Sequence, residues 1–441
     1  MTDDEIERLF DLIRVPSVSA DPAHAGDMDR AAALVAEEIE RAGGRAEVRA
    51  TGGHPLVVGE VPASTGDPRA PRVLLYGHYD VQPPGDPERW ESPPFEPTIR
   101  DGAVFARGAS DDKGNLFMLL VAVQRLAAAG RLPVRVGVLV DGEEESGGTS
   151  AVEAVAAETE PAAACVIFDI SMAEPGRAAL CTGVRGLLYR RVHVTTAERD
   201  GHSGLFGGAA LSASHVLLSI LGPVVPTEGA LASELAGGAA PVEDEERRTW
   251  DELPSGERVL ADGGLAPSDP HAAAEFYERT LARASLDVHG LSAGDVDKVA
   301  TVIPGHASAT LSVRLAPGQD PEAVSVALER LLQDAAPDGA EVDVERLGDA
   351  PPAYMDPRLP AMRAAEAGLE AATGRPPALV RVGGTIPVVG AMVDAGIPVI
   401  LTGFALPSDA IHSPNENLQL AHLALGVSAA QEILTRLGTV D

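Results

Sequence analysis

The segment RVLLYGHYDVQPP, residues 72–84, joins an apolar run to two residues that can do chemistry. Val73–Tyr76 predict a buried strand, and His78 and Asp80 follow where the apolar run ends. Because alternate residues of a strand point to the same face, this imidazole and this carboxylate can serve one site. An isolated H-x-D is more often a turn with a capping Asp and a hydrogen-bonded His, so the rest of the chain has to decide between the two interpretations.

Carboxylates and a second histidine follow other apolar segments in the same way. An Asp before a helix is usually a cap, and an acidic run is usually a solvated surface, so each is weak evidence alone. In an open parallel sheet, however, ligands bind at the carboxyl ends of the strands, and these side chains are therefore expected at one edge. They are Asp111 and Asp112 in VFARGASDDKGN, Glu143, Glu144 and Glu145 in VRVGVLVDGEEESGG, Asp169 after ACVIF, and His412 in the segment that follows IPVILT.

A cluster of carboxylates at one edge would repel itself in the absence of a cation. Mixed imidazole and carboxylate ligands are typical of zinc or a similar divalent ion. The candidate ligands outnumber those that one tetrahedral ion needs, and a carboxylate that bridges two ions would use them all. The sequence therefore predicts a metal site at this edge.

The elements that must position these residues indicate two kinds of domain. In residues 1–184 and 353–441, apolar strands alternate with helices, which is typical of an α/β domain with a mostly parallel sheet and helices on both faces. Residues 185–352 contain half-exposed, alternating strands and predict an inserted α+β domain with an antiparallel sheet. Within it, the acidic stretch 227–270 is rich in Gly and Pro and is interpreted as an exposed insertion.

Composition excludes several partners. The net charge of −32 argues against nucleic acid and against anionic membranes. The N-terminus has no basic and apolar leader, and Gln124 and Arg125 interrupt the longest apolar stretch, so we expect a soluble, cytoplasmic protein. Cys165 and Cys181 are too few for a disulfide framework and are expected to be small core residues.

Eight motifs in the chain resemble the co-catalytic di-zinc peptidases, which include carnosine-type cytosolic dipeptidases, bacterial glutamate carboxypeptidase, aminoacylase and succinyl-diaminopimelate desuccinylase. The motifs are GHYDVQP, RGASDDKGN, GEEESGG, the FD at 168–169, GHSGLFGG, TVIP, GGTIPV and IHSPNEN, in the family's order and over nearly the whole chain. The resemblance implies two Zn²⁺ ions per subunit, with Mn²⁺ or Co²⁺ as alternatives. It assigns His78, Asp111 and Asp169 to one ion, and Asp111, Glu145 and His412 to the other.

The resemblance also implies roles around the metal ions. Asp80 would hydrogen-bond the far nitrogen of His78 and fix its tautomer. Glu144 would be the general base that takes a proton from the zinc-bridging water and passes it to the leaving amine. The Asp111–Asp112 peptide bond is expected to be cis, and Glu143 is expected to be an exposed turn residue.

The inserted domain resembles the family's lid and dimerisation domain. His202, in GHSGLFGG, matches a histidine that reaches the active site of the partner subunit and stabilises the oxyanion, which implies a homodimer formed through the lid. Thr301 in TVIP and Arg314 in LSVRL match lid positions that contact the substrate carboxylate and the transition state. Thr385 in GGTIP matches a position that binds the carboxylate end of the substrate.

The substrate class follows from one ligand position. Family dipeptidases and aminopeptidases tend to carry Asp where Asp169 stands, whereas carboxypeptidases and aminoacylases tend to carry Glu. A metal-dependent dipeptidase that cleaves small peptides is therefore predicted, with an N-acyl amino acid deacylase or a carboxypeptidase on the same scaffold as the alternative. The preferred dipeptide stays open.

Functions of other classes fit the sequence less well. A catalytically inactive metal-binding protein would lack a ligand or the base, and none is missing here. A serine hydrolase would need a Gly two residues after Ser203, where the chain has Leu205. A nucleotide-binding P-loop would need a lysine in a Gly-rich loop, and neither lysine of the chain lies in one.

Overall fold

The structure is a computed structural model that describes residues 1–158, 160–295, 297 and 300–440. Its α-helices are α1 (Asp3–Ile13), α2 (Ala25–Arg41), α3 (Lys113–Ala128), α4 (Ser150–Ala156), α5 (Ser203–Phe206), α6 (Ala213–Leu221), α7 (Ser233–Ala236), α8 (Asp244–Asp251), α9 (Gly256–Asp262), α10 (Pro321–Asp334), α11 (Pro360–Thr373), α12 (Pro387–Asp394) and α13 (Leu420–Leu437). Its strands are β1 (Arg45–Arg49), β2 (Leu56–Val61), β3 (Arg72–His78), β4 (Thr98–Arg100), β5 (Ala103–Phe105), β6 (Arg135–Asp141), β7 (Ala164–Phe168), β8 (Ala179–Val184), β9 (Gly186–Thr195), β10 (Gly201–His202), β11 (Ser285–Ala293), β12 (Val302–Ile303), β13 (His306–Leu315), β14 (Glu341–Ala350), β15 (Ala353–Tyr354), β16 (Ala378–Val382), β17 (Val399–Thr402) and β18 (Asn417–Gln419).

The chain divides into two compact units, and each contains chain segments that are distant in sequence. The second unit includes a short segment, 381–390, that lies outside the 185–352 range expected for the inserted domain. Unit 1 comprises Met1–Thr182, Met355–Val380 and Ala391–Asp441, and unit 2 comprises Gly183–Tyr354 and Arg381–Gly390.

Unit 1 is built on a six-stranded sheet in the order β1-β2-β6-β3-β7-β17. In this sheet β2 runs antiparallel to its neighbours, while β6, β3, β7 and β17 are mutually parallel. Every residue of β3 and β7 is buried, as expected for strands covered on both faces. The predicted fold class, a mixed α/β protein with a mostly parallel sheet and separate antiparallel sheets, is confirmed.

Helix α3 forms the centre of the packing in unit 1. Its residues are apolar on nearly all sides, and it contacts α1, α2, α13 and strands β3 and β7. The helix is followed by Gly130, whose φ of 64° lies in the left-handed region that favours glycine. Its first residue, Lys113, comes directly after the predicted ligand loop, so the packing of α3 fixes one end of that loop.

Unit 2 is built on a four-stranded antiparallel sheet in the order β11-β13-β9-β14. Alternate residues of β9 and β13 are buried, and they pack with α6 and α10 into a separate hydrophobic core. The acidic stretch 227–270 contains α7, α8 and α9, and its residues Leu235, Glu246 and Trp250 are buried. The interpretation of this stretch as an exposed insertion is therefore wrong for these residues, because apolar positions too sparse to show a period in sequence pack into unit 2.

Two smaller expectations concern apolar segments. Cys165 and Cys181 are free and buried, as predicted. Over the residues that the structure describes, no helix is both long and apolar enough to cross a membrane.

Candidate metal centre

Three of the predicted ligands stand at or just after the carboxyl ends of strands in unit 1. His78 is the last residue of β3, and Asp169 follows the last residue of β7. Glu145 lies in a 3₁₀ turn, Glu144–Ser146, that comes shortly after the end of β6. Because β3, β6 and β7 are parallel neighbours, these three side chains reach the same edge of the sheet.

Two loops supply the remaining ligands. Asp111 lies in the loop before α3, and His412 lies in the segment between β17 and β18. The Asp111–Asp112 peptide bond is cis, as predicted.

The five side chains form two groups that share Asp111. Potential ligand atoms of His78, Asp111 and Asp169 lie within 4.8 Å of one another, and so do those of Asp111, Glu145 and His412. Nε2 of His78 is 3.0 Å from Oδ1 of Asp111, whereas Nε2 of His412 is 2.9 Å from Oδ2 of the same carboxylate. The two oxygens of Asp111 therefore face different histidines, which is the arrangement that a bridging carboxylate requires.

Asp80 is buried behind His78. Its Oδ1 lies 3.3 Å from Nδ1 of His78, and its main-chain oxygen is closer to the same nitrogen, at 3.1 Å. Its Oδ2 accepts hydrogen bonds from the Ser19 hydroxyl, at 2.6 Å, and from the Glu145 main-chain N–H, at 3.0 Å. Asp80 thus contacts the nitrogen of His78 that faces away from Asp111 and also holds the turn that carries Glu145.

The electrostatics of this cluster favour bound positive charge. Burial lowers the pKa of His78, but hydrogen bonds with Asp111 and Asp80 outweigh it and raise the pKa well above its ordinary value. Hydrogen bonds with Asp111 and Glu145 raise the pKa of His412 to about 10. Burial, followed by the negative charge of Asp111, raises the pKa of Asp169 well above its usual range. The surplus of carboxylates draws protons onto both histidines. Divalent cations in place of these protons would balance the same negative charge, and imidazole and carboxylate groups are donors that suit such cations.

Glu144 lies beside the two groups but belongs to neither. Burial raises the pKa of its carboxyl group to about 7; the charge of His78 opposes this rise, and the charges of Glu145 and Asp111 add to it. A carboxylate with a pKa near neutrality is suited to accept and return a proton.

Glu143 differs from the sequence expectation. It is half-buried rather than exposed, and its Oε1 accepts a hydrogen bond from the His54 main-chain N–H at 3.1 Å. Its Oε2 accepts one from the Ser150 hydroxyl at 2.5 Å. The expectation was wrong because the partners of Glu143 come from a distant loop and from the start of α4, which the local sequence does not indicate.

Three further residues of the site were not identified from the sequence. Gln82 donates a hydrogen bond from Nε2 to Oε2 of Glu145 at 2.8 Å, and its place in GHYDVQP is the signal that was available. Ser19 supports Asp80, as described above, and lies in no recognisable motif. Glu416 is fully buried and contacts the loop of Asp111; it belongs to IHSPNEN, but its position in that motif does not indicate a partner.

The other predicted site residues all belong to unit 2, where the structure brings them together in two pairs. His202 lies at the junction of β10 and α5 and pairs with β12. The main-chain N–H of Ser203 donates a hydrogen bond to the main-chain oxygen of Thr301 at 2.9 Å. Nη1 of Arg314 donates a hydrogen bond to Oγ1 of Thr385 at 3.1 Å.

Comparison with known proteins identifies relatives over the full length. Residues 74–436 match the peptidase family M20/M25/M40. The cysteinylglycine-S-conjugate dipeptidase of Corynebacterium striatum is 29% identical over 97% of this chain and 94% of its own. Human carnosine dipeptidase 1 superposes with a TM-score of 0.71 at 25% identity, over 99% of this chain and 96% of its own. An M20 family metallo-carboxypeptidase of Sulfolobus solfataricus superposes with a TM-score of 0.79 at 26% identity, over all of both chains.

Proposed function

The chain belongs to peptidase family M20/M25/M40 and is a peptide-bond hydrolase, and we propose that it is a dipeptidase that depends on two bound divalent metal ions. The observation that carries this proposal is the pair of ligand groups that share Asp111. Similarity to two proteins named as dipeptidases supports the substrate class.

The donor set decides which ions fit. His78, Asp111 and Asp169 would hold one ion, and Asp111, Glu145 and His412 would hold the other. Each group combines one imidazole with two carboxylates, a set that suits Zn²⁺ and also Mn²⁺ or Co²⁺. When bound, such ions polarise a peptide carbonyl and lower the pKa of the attacking water.

Glu144 is the proposed general base. It takes a proton from the water as the water oxygen bonds to the peptide carbonyl carbon. It then donates this proton to the peptide nitrogen as the C–N bond breaks, which yields a new carboxyl group and a free amine; the second proton of the water remains on the carboxyl group until it passes to the amine or to solvent. Asp80 holds the orientation of His78 through Nδ1.

Residues of unit 2 are proposed to bind the substrate. The planar guanidinium of Arg314 and the hydroxyl of Thr385 are hydrogen-bonded to each other and suit a substrate carboxylate. Thr301 lies beside His202, and we propose that both contact the reacting group.

We further propose that unit 2 forms a homodimer and that His202 acts in the partner subunit's site. Two exposed apolar side chains lie within four residues after His202: Leu205 is 76% exposed and Phe206 is 52% exposed. Large apolar side chains exposed together are typical of a protein interface. A cytoplasmic location stays a prediction from the sequence.

The alternative is a carboxypeptidase or an N-acyl amino acid deacylase on the same scaffold. The similarity to the Sulfolobus solfataricus metallo-carboxypeptidase favours the first of these. The Asp at position 169 favours the dipeptidase.

A panel of substrates distinguishes these functions. The metal-loaded protein is assayed with Ala-Ala, β-Ala-His, an N-acetyl amino acid and a tripeptide, each with and without chelator. Cleavage of the free-amine dipeptides alone, abolished by chelator and restored by Zn²⁺, is the expected result. Preferred cleavage of N-acetyl amino acids would identify a deacylase, and cleavage that persists with chelator would contradict the dependence on metal.

A further inference from the structure

Glu416 is buried against the loop that carries Asp111. Its side chain has no exposed surface, and it belongs to neither ligand group. Oε1 accepts hydrogen bonds from the main-chain N–H groups of Ser110, at 2.9 Å, and Asp111, at 3.1 Å. Oε2 accepts one from the N–H of Gly108 at 3.0 Å. Main-chain N–H groups that converge in this way form a concave site for an anion, and here the anion is a side chain of the same unit.

The fourth donor to this carboxylate is a charged one. Nη1 of Arg107, which is only 1% exposed, donates a hydrogen bond to Oε2 of Glu416 at 2.6 Å. Each oxygen of the Glu416 carboxylate therefore accepts two hydrogen bonds. A glutamine of the same shape has a single acceptor oxygen, and its NH₂ group would face two of the donors. The surroundings thus require a carboxylate rather than a polar side chain of this size.

The same residue anchors the loop of His412. The main-chain oxygen of Glu416 accepts a hydrogen bond from Ala106 at 3.0 Å, and the next residue, Asn417, pairs with β5. His412 has a φ of 60°, in the left-handed region that non-glycine residues rarely adopt, and its side chain is 52% exposed. Because packing covers only half of His412, its position depends on how the loop is held, and Glu416 is four residues away.

We propose that Glu416 is a positioning residue for both metal ions. It fixes the main chain of Asp111, which is common to the two ligand groups, and it ties that loop to the loop of His412. Removal of its charge is expected to weaken the binding of both ions. This inference rests on the proposed metal-dependent function.

The test is a measurement of metal affinity. Metal-free wild type and Glu416→Gln are titrated with Zn²⁺ in competition with a chromophoric chelator, well below the melting temperature of either protein. Loss of a residue that supports metal ligands typically weakens binding about 10- to 100-fold, and we expect a loss of this size at both sites. Glu416→Asp keeps the charge and both acceptor oxygens, and we expect its Zn²⁺ affinity to lie between those of the wild type and Glu416→Gln. If Glu416→Gln does not fold, Glu416→Asp is compared with the wild type instead.

Glu38→Gln is the matched control. Glu38 is 7% exposed, forms an ion pair with Arg8 and accepts a hydrogen bond from Gln124; among the described residues, its hydrogen-bond and ion-pair partners lie in helices of the same unit and not in a ligand loop. Its replacement is expected to lower thermal stability and leave Zn²⁺ affinity unchanged.

The outcomes separate this inference from the function on which it rests. If the wild type binds two Zn²⁺ ions and Glu416→Gln binds them within twofold as tightly, the inference is overturned and the proposed function stands. Equal losses of affinity in Glu416→Gln and Glu38→Gln would also overturn it, since general destabilisation would then explain both. A wild type that binds no Zn²⁺ would refute the proposed function, and the inference with it.

Discussion

Replacement of Glu144 by Gln removes the proposed base while keeping its shape. General acid–base catalysis contributes about 10²- to 10⁴-fold to a rate, which corresponds to about 3 to 5 kcal/mol of activation free energy. We therefore expect kcat to fall by that factor and KM to change little. Because only the ionised carboxylate accepts a proton, wild-type kcat/KM should also fall as the pH drops below the pKa of this group.

The surroundings of Glu144 allow its replacement without the loss of a described hydrogen bond or of a proposed metal ligand. Among the described residues, no hydrogen bond is donated to the Glu144 carboxylate, and Glu144 lies in neither ligand group. Because burial disfavours the charged form of Glu144, a neutral Gln at this position is expected to leave the free energy of unfolding unchanged or to raise it, and metal content is expected to stay at two ions per chain.

The assay combines steady-state kinetics with Ala-Ala, elemental analysis and thermal unfolding. Glu143→Gln is the matched control, because it changes the adjacent carboxylate, which hydrogen-bonds with His54 and Ser150. This control should lower stability and leave kcat within about tenfold of the wild type. A Glu144→Gln enzyme with both metal ions and with kcat within tenfold of the wild type would refute the assignment of the base.

Further predictions concern binding, stability and pH. Arg314→Met should raise KM at least tenfold for dipeptides and leave KM unchanged for dipeptide amides, as measured by steady-state kinetics; equal effects on both would contradict a carboxylate contact. Glu246→Gln should destabilise unit 2 by about 3 to 5 kcal/mol in urea unfolding, because Arg381, which donates to both oxygens of Glu246, would keep its buried positive charge without a negative partner. For Glu5, burial raises the pKa, but hydrogen bonds from Arg125 outweigh it and lower the pKa from 4.5 to about 2. The stabilisation by Glu5 is thus present above pH 4.5 and is lost as the pH falls towards 2. Glu5→Gln should reduce the loss of stability that acid unfolding shows between pH 4.5 and 2. An unchanged dependence of stability on pH in this range would contradict the ion pair.

The positions of the candidate ligands that follow strands could be predicted from the sequence by one rule. Parallel strands bring their carboxyl ends to the same edge, so His78, Glu145 and Asp169 were expected to meet although they are far apart in the chain. The same rule was extended to Asp111 and His412, and the resemblance to a known family assigned all five residues to particular ions. Asp111 and His412 come from loops, and strand periodicity gives no information about where a loop residue lies.

Residues that support the ligands were much harder to predict. Three of the four donors to the Glu416 carboxylate are main-chain N–H groups about 300 residues away, and any sequence provides such groups. Glu143 was expected to be exposed because acidic runs usually are, yet two donors from other segments hold it. The packing of 227–270 was missed for a related reason, since its buried Glu246 and Trp250 lie among polar residues.

The difference between strand-borne and loop-borne ligands suggests how the site keeps its geometry. His78 ends a fully buried strand and has Asp80 behind it, so the sheet itself fixes that ligand. Asp111 and His412 have no strand beneath them, and their loops depend on the buried carboxylate of Glu416. The like charges of the proposed carboxylate ligands repel one another in the metal-free protein, and this repulsion would displace a loop more easily than a strand. A buried carboxylate that holds both loops reduces that displacement, which explains why unit 1 keeps one more negative charge beside a cluster that already has a surplus.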